Sequence, residues 1–468
     1  MPSTVGIVAS GEDVLNDAVF WVDAGHSSVV SGALSNLGTG GSALNAVFGN
    51  STGVDSFDPA LLAHTGTNYL HLPGVTGNYA STPDAAALDI TGDIEIVVRV
   101  SLADWTPAET YLVSKYLTTT DQRSYAMGVA ASGRIFLRNS ADGVTTIYRD
   151  SSAVPGLTDG VTYWLKATLD VDNGLNQNSA RFYYATDQTS EPLAWTEIGS
   201  AVTTTSPTST TTSIFQGSSQ LDVGSLNAGV SALATGSVYR AIVRNGIGGT
   251  TVFDADFTTG ITSGAQTTFT ESSANAATVT INRSTSGRKA VAVTRSILLF
   301  GTDDYLEVAD NDLLDFAASD PFTVAWIGRQ WTSTAGSFRT MIAKMSSLGA
   351  TQGWAVMGST LDQSTQFRTR DASAQVLAGS LTNTAGSRLA LIATRNGNVH
   401  TLNKAENGGA VSQATTTSTA LDLANATTVR LGANTTAGQV WEGELVAAAV
   451  WRRALNANEI ATIVARYT

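Results

Sequence analysis

At 468 residues the chain is too long for a single core, so two or three domains are expected. Its net charge is −13 and its 26 basic residues are scattered singly, which argues against a phosphate-binding surface and so against nucleic acid as a partner. It has no cysteine, which excludes a disulfide scaffold, a thiolate metal site and a Cys nucleophile, and it has no apolar run of the ~18 residues that a membrane insertion needs.

Taken in order, residues 1–13 read as an N-terminal arm without the basic and apolar regions of a signal peptide. Leu15 to Asp23 reads as the first strand of a first domain, and the Gly-, Ser- and Asn-rich stretch 26–67 as a long connection. Strands are then predicted at 69–72, 94–101, 111–115, 124–129, 134–138, 161–170, 179–185 and 238–244. Turn signals at Gly133, Asp142-Gly143 and Asp172-Asn173-Gly174 separate them, the rhythm of a sandwich or barrel. Thr203 to Ser213 is polar and of low complexity, which predicts a surface loop. Residues 245–265 form the best boundary, and Thr278 to Asn282 is expected to be the entry strand of a second domain. One helix is convincing. Asn456 and Glu459 have capping-box spacing, and Leu455, Ile460 and Ile463 supply an apolar side that should dock on the second domain.

The chain also repeats itself. Tyr79…Leu88-Asp-Ile90 with Asp93-Ile-Glu-Ile-Val-Val-Arg-Val100 parallels Tyr305…Leu314-Asp-Phe316 with Asp320-Pro-Phe-Thr-Val-Ala-Trp-Ile327. In the same order, Tyr111-Leu-Val-Ser-Lys115 answers Met341-Ile-Ala-Lys344, Tyr125-Ala-Met-Gly128 answers Trp354-Ala-Val-Met-Gly358, and Asp222-Val-Gly224 answers Arg430-Leu-Gly432. Val238 to Arg244 answers Leu445 to Trp451. Segments this long mean two copies of a β-domain, not a solenoid of short units. The expected fold is all-β: two tandem antiparallel β-sandwiches of jelly-roll type with a short C-terminal helix. Their boundaries are read as 1–13 arm, 14–258 first sandwich and 259–468 second sandwich. Phe322, Val324 and Trp326 alternate onto one strand face, taken as the core face.

Tyr305-Leu-Glu-Val-Ala-Asp…Asp320-Pro-Phe-Thr-Val-Ala-Trp326 resembles the opening of concanavalin-A-like domains of the laminin-G/pentraxin type. The closing Ala449-Val-Trp-Arg-Arg-Ala-Leu455…Glu459-Ile460 is similar to that family's last strand and terminal helix. Gly160-Val-Thr-Tyr-Trp164 resembles its central strand, so two laminin-G-like sandwiches are implied. Tyr239 to Phe257 and Phe269 to Ser284 are similar in phrasing to minor tail proteins of phages infecting actinobacteria. This resemblance implies a non-enzymatic structural virion protein, assembled in the host cytoplasm and placed in the tail, where it serves structure and host-surface glycan adhesion. Its implied partners are other tail proteins, host cell-wall glycan and further copies of itself, as a trimer or else a hexamer. The alternatives are a carbohydrate-binding module of a bacterial surface protein and, less favoured, a glycoside hydrolase of the same fold.

Few residues point to chemistry. Gly49-Asn-Ser51-Thr-Gly53 fits a nucleophile-elbow pattern, but no helix is expected behind it. Asp93-Ile-Glu95 is the candidate for a glycosidase-type carboxylate pair, and it reads as a solvated strand face where a glycosidase needs two carboxyls flanking one bond. His26, His64, His71 and His400 lack metal-site spacing. No catalytic residue and no cofactor are expected, apart from calcium. For calcium the resemblance implies end-loop oxygens, and Asp170, Asp172 and Asn173 are the weak candidates, followed by Asp303-Asp304 and Asp310-Asn311-Asp312. For sugar stacking, Trp105, Trp195, Trp331 and Trp441 lie near predicted loops or strand ends, whereas Trp21, Trp164, Trp326, Trp354 and Trp451 sit in periodic apolar runs.

Overall fold

A computed structural model describes residues 11–467 except 52, 54, 57, 204–209, 265, 286, 332–337, 348–350, 360–362, 420 and 435–438. Most of the N-terminal arm and the middle of the Thr/Ser tract therefore lie outside the described residues.

The strands fall into four groups. A short group opens the chain: β1 (Phe20–Asp23), β2 (Val29–Val30), β3 (Ala33–Leu34), β4 (Ala46–Phe48) and β5 (Ala60–Leu62). A long group follows: β6 (Tyr69–Pro73), β7 (Tyr79–Thr82), β8 (Ile94–Leu102), β9 (Thr110–Leu117), β10 (Gln122–Val129), β11 (Ile135–Asn139), β12 (Ile147–Asp150), β13 (Thr162–Asp170), β14 (Ser179–Thr186), β15 (Thr196–Glu197), β16 (Leu221–Val223) and β17 (Thr235–Asn245). The second short group is β18 (Thr250–Asp256), β19 (Thr268–Thr270), β20 (Thr278–Asn282) and β21 (Val291–Val293). The second long group is β22 (Ile297–Phe300), β23 (Leu306–Val308), β24 (Phe322–Gln330), β25 (Phe338–Lys344), β26 (Gly353–Ser359), β27 (Ser364–Arg370), β28 (Gln375–Thr382), β29 (Arg388–Asn396), β30 (Val399–Glu406), β31 (Ser412–Thr417), β32 (Val429–Leu431) and β33 (Gly443–Trp451). Helices are α1 (Gly11–Asn16), α2 (Phe257–Gly260) and α3 (Ala457–Tyr467).

These strands build two all-β sandwiches, each of two antiparallel sheets, with the short C-terminal helix that the sequence predicts. The chain divides into a unit of residues 65–284 and 289–294 and a unit of residues 1–64, 285–288 and 295–468. The first is an inserted sandwich and the second a split one. The inserted sandwich pairs β15-β14-β13-β8-β17-β6-β21, with β18 also on β17, against β12-β11-β10-β9-β16-β7-β20-β19. The split sandwich pairs β31-β30-β29-β24-β33-β22-β5, with β1 also on β33, against β2-β3-β4-β23-β32-β25-β26-β27-β28.

This differs from the tandem division at residue 258. Leu15 to Asp23 does hold a strand, but β1 lies on β33 at the far end of the chain, with Phe20 opposite Val450 and Asp23 opposite Ala447. The connection expected over 26–67 carries β2–β5 of that same sandwich. Thr278 to Asn282 is β20 and pairs with β7, so it completes the first long group instead of opening the second. The cause is an uncovered strand edge. β22 pairs with β33 only up to Leu445, and without β1 the backbone groups of the following residues would face no ladder.

Each core sits between its own two sheets. In the inserted sandwich Ile96, Val98, Leu165, Met127 and Leu137 meet there, all buried. In the split sandwich Phe316 stacks on Phe322 at 4.1 Å between ring centroids, and Trp326 meets Trp441 edge-on at 5.0 Å. Phe322, Val324 and Trp326 thus occupy the expected core face. Gly328 follows a bulge in the β24–β33 ladder, where a Cβ would come within 2.1 Å of the Glu444 carbonyl, so no larger residue fits. Asn456 caps α3 as expected: its Oδ1 accepts from the Asn458 and Glu459 amides, and the Asn456 amide donates to Glu459 Oε2 at 2.8 Å.

The division has a direct consequence for truncation. Residues 65–294 expressed alone should fold and unfold cooperatively. So should 14–64 joined directly to 295–468, because Leu62 and Ile297 are ladder partners that a four-residue hairpin loop can connect. Residues 259–468 alone should not, lacking β1–β5. Circular dichroism with urea titration decides it, and a cooperative transition for 259–468 would restore the tandem division.

Candidate functional site

A caged lysine recurs in both sandwiches. Lys115 on β9 and Lys344 on β25 have no side-chain exposure. Lys115 Nζ lies 2.7 Å from Asp84 Oδ1 and 3.4 Å from Asp89 Oδ1, and donates to the carbonyls of Gly217 and Ser219. Lys344 Nζ contacts Asp310, lies 3.1 Å from Asp315 Oδ1, and donates to the carbonyls of Asn425 and Thr427. Two carboxylates and two carbonyls, the carbonyls two residues apart just before β16 or β32, therefore surround one ammonium in each unit. Asp310 is thus engaged by a lysine, and Asp304 of the other suspected cluster by Arg288, at 2.9 and 3.0 Å. The cages lock end loops to the sheets, which is a structural task.

The weak calcium candidates behave differently. Asp170 Oδ1 accepts from the Asp172 amide, Asp172 Oδ1 from Gly174 and Asn173 Oδ1 from Leu175, at 3.0–3.1 Å. These are consecutive Asx turns at a hairpin tip, with Asp172 exposed. A hard cation asks for six to eight converging oxygens. Among the described residues no group of three His, Cys, Asp or Glu is placed to hold a metal, and this loop's oxygens turn back onto their own backbone, so the donor set does not fit calcium.

Asp93 and Glu95 are not a solvated pair. Asp93 accepts from the Val171 amide at 2.9 Å, while Glu95 is 5 % exposed and bound to Arg244. Their carboxylates hold turns and ion pairs. Glu95 belongs to the outward face of β8, and its burial shows that this face is covered. Among the described residues, Ser51 Oγ interacts with Gly53 and Asp55, with no helix behind it.

The cover is the segment between β14 and β15. Asp187 takes Arg99 in a two-pronged pair at 2.7 and 3.1 Å, and Glu191 takes Arg244 at 2.9 and 2.5 Å. Trp164 donates Nε1–H to the Gln188 carbonyl at 2.9 Å and packs with Val97 and Ile242 beneath this strap. Beside it Lys166 Nζ stands 4.4 Å from the Trp195 ring centroid and 4.9 Å from that of Tyr183. Burial pushes the Lys166 pKa down, with Glu95 and Glu191 opposing. Leu193 at the strap's tip is fully exposed.

The corresponding face of the split sandwich is closed by helix instead. Trp451 donates to the Val14 carbonyl at 2.8 Å, and Trp21 donates to the Tyr467 hydroxyl, which donates to Asp23 at 2.8 Å. Ile460, Ile463 and Val464 of α3 are buried. Of the nine tryptophans, eight are buried, including the sugar candidates Trp105, Trp331 and Trp441. Only Trp195 is half-buried rather than buried. Its aromatic face, with Tyr183, Lys166 and the Arg181–Glu197 pair at 2.6 Å, is the surface chemistry most suited to a polyol ring. Sequence had flagged Trp195, but not the strap that carries it or the charges around it, which come from strands far apart in the chain.

No protein-family model matches the chain, and neither does any curated protein sequence. Among solved structures, the chain is similar to the binding domain of Paraclostridial mosquitocidal protein 1 at 15 % identity, covering 37 % of this chain and 44 % of that one, with a TM-score of 0.29. It is similar to mouse laminin α1 domains LG4-5 at 11 % identity, covering 86 % and 96 %, with a TM-score of 0.30. It is also similar to the CBM40 of a Ruminococcus gnavus sialidase, solved with α2,3 sialyllactose, at 9 % identity over 34 % and 95 %, with a TM-score of 0.25. Likeness at these scores carries no argument about function, and the sandwich architecture rests on the strand pairing itself.

Two measurements probe the site. Lys115→Met leaves two carboxylates and two carbonyls around an apolar chain end, so the inserted sandwich should lose about 3 kcal/mol of stability in urea titration; an unchanged midpoint would show the cage to be energetically idle. His400, 1 % exposed and opposite Arg395 on the neighbouring strand, has its pKa lowered to about 4, chiefly by burial and then by Arg395. The depressed value means stability is present above pH 6.5 and lost as pH falls towards 4. Between pH 7 and 5 this group should cost the split sandwich about 2 kcal/mol, a loss that His400→Phe abolishes.

Proposed function

We propose that the chain is a non-enzymatic structural component of a phage tail, and that the strap face of its inserted sandwich contacts host-surface glycan. The observation that carries the adhesive part is Trp195: one half-buried tryptophan, with Lys166 over its ring, on a chain that buries its other eight. A ring already held in place loses little freedom when a sugar stacks on it. The tail assignment is supported by the phrasing of Tyr239 to Phe257 and Phe269 to Ser284, which form β17–β18 and the β19–β20 hairpin of that same sandwich. Self-association as a trimer, or else a hexamer, in the virion belongs to the same reading.

Two experiments test the two parts separately. Mass spectrometry of purified virions should find the protein at a few copies per particle, and its absence would defeat the tail assignment. Binding to host cell-wall fragments should fall at least tenfold in Trp195→Ala while the circular dichroism stays unchanged. Equal binding by the variant would move adhesion off this face.

A further inference from the structure

The two short strand groups are interchangeable in register. On β17, Val243 faces Phe253 and Arg240 faces Asp256; on β33, Val450 faces Phe20 and Ala447 faces Asp23. Val252-Phe253-Asp254-Ala255-Asp256 thus occupies the ladder position of Val19-Phe20-Trp21-Val22-Asp23. The partner switch falls at the same point in both: β6 covers β17 to Val238 and β22 covers β33 to Leu445, after which β18 or β1 takes over. The other short strands agree. Ile281 faces Ala80 where Phe48 faces Leu306, and Val293 faces Tyr69 where Leu62 faces Ile297.

The chain therefore reads short–long–short–long, and neither short group pairs with the long group that follows it. β5 directly precedes β6 but pairs with β22; β21 directly precedes β22 but pairs with β6. Side chains set which group goes where. Asp254 meets Arg240 in a two-pronged ion pair at 2.6 and 2.7 Å, whereas the matching Trp21 meets Tyr467 of α3 over Ala447 and Ala449. Exchanging the groups within one chain would bury Asp254 under α3 without its arginine.

A second copy carries no such mismatch. We infer that β1–β5 is an exchangeable strand group, and that its partner outside its own chain is the second long group of another copy. Every contact in the exchanged form is one the single chain already makes, so the two forms differ mainly in the entropy of association and of the connection 63–68. Protein concentration then sets their balance, independently of what the molecule binds.

The cysteine-free sequence makes the test clean. Val47 on β4 and Glu307 on β23 are half-buried ladder partners. Differently tagged full-length Val47→Cys and Glu307→Cys chains are mixed, refolded together from denaturant at low and high concentration, and oxidised. The expected result is a disulfide between the two tagged chains, at least tenfold above that formed by Val47→Cys alone and rising with concentration. A chain bearing both substitutions must close its disulfide internally, which verifies that the pair reacts. If it does so while the mixed chains cross-link no more than the control at any concentration, exchange between copies is overturned.

Discussion

The edge of β33 beyond Leu445 is the constraint on which the arrangement of the whole chain depends. One side of that strand is paired throughout with β24, but on the other side β22 stops short, leaving backbone donors and acceptors that must find a ladder. The chain meets this demand with residues 20–23, and β17 meets the identical demand with residues 250–256. Once those pairings are fixed, one sandwich is necessarily an insertion within the other.

This explains what could and could not be read from the sequence. The long groups were legible because their buried strands are long and periodic: β8 and β24 are buried at every position, and their aromatic and β-branched residues recur in order. The short groups were not. Between Val19-Phe20 and Val252-Phe253 only a few identities survive, and strands of two to seven residues, most of them five or fewer, leave little alternation to detect. The repeat was therefore found, but its edges were drawn by sequence proximity, which favours a tandem reading. The terminal helix was legible because Asn456 and Glu459 advertise their cap locally.

Charge placement follows the same division between local and non-local signals. Lys115 and Lys344 were matched as repeat positions in the sequence, yet their cages need carbonyls about a hundred residues away or fewer, contributed by loops whose sequences say nothing of it. Glu95 was misread as solvated because alternation placed it on an outward face, and the strap that buries that face is contributed from residues 187–195. The same strap delivers Trp195, so the one tryptophan that is not fully buried owes its setting to ion pairs with Arg99 and Arg244. The strap and the strand architecture are thereby joined: the strap is anchored on β8 and β17, the strand that β18 completes.

Amide–amide nuclear Overhauser contacts on deuterated full-length protein report the crossed pairing of the short groups. Cross-strand contacts are expected of the Phe20–Asp23 amides with those of Ala447–Val450, and of the Phe253–Asp256 amides with those of Arg240–Val243. Contacts of Phe20–Asp23 with Arg240–Val243 instead would contradict that pairing.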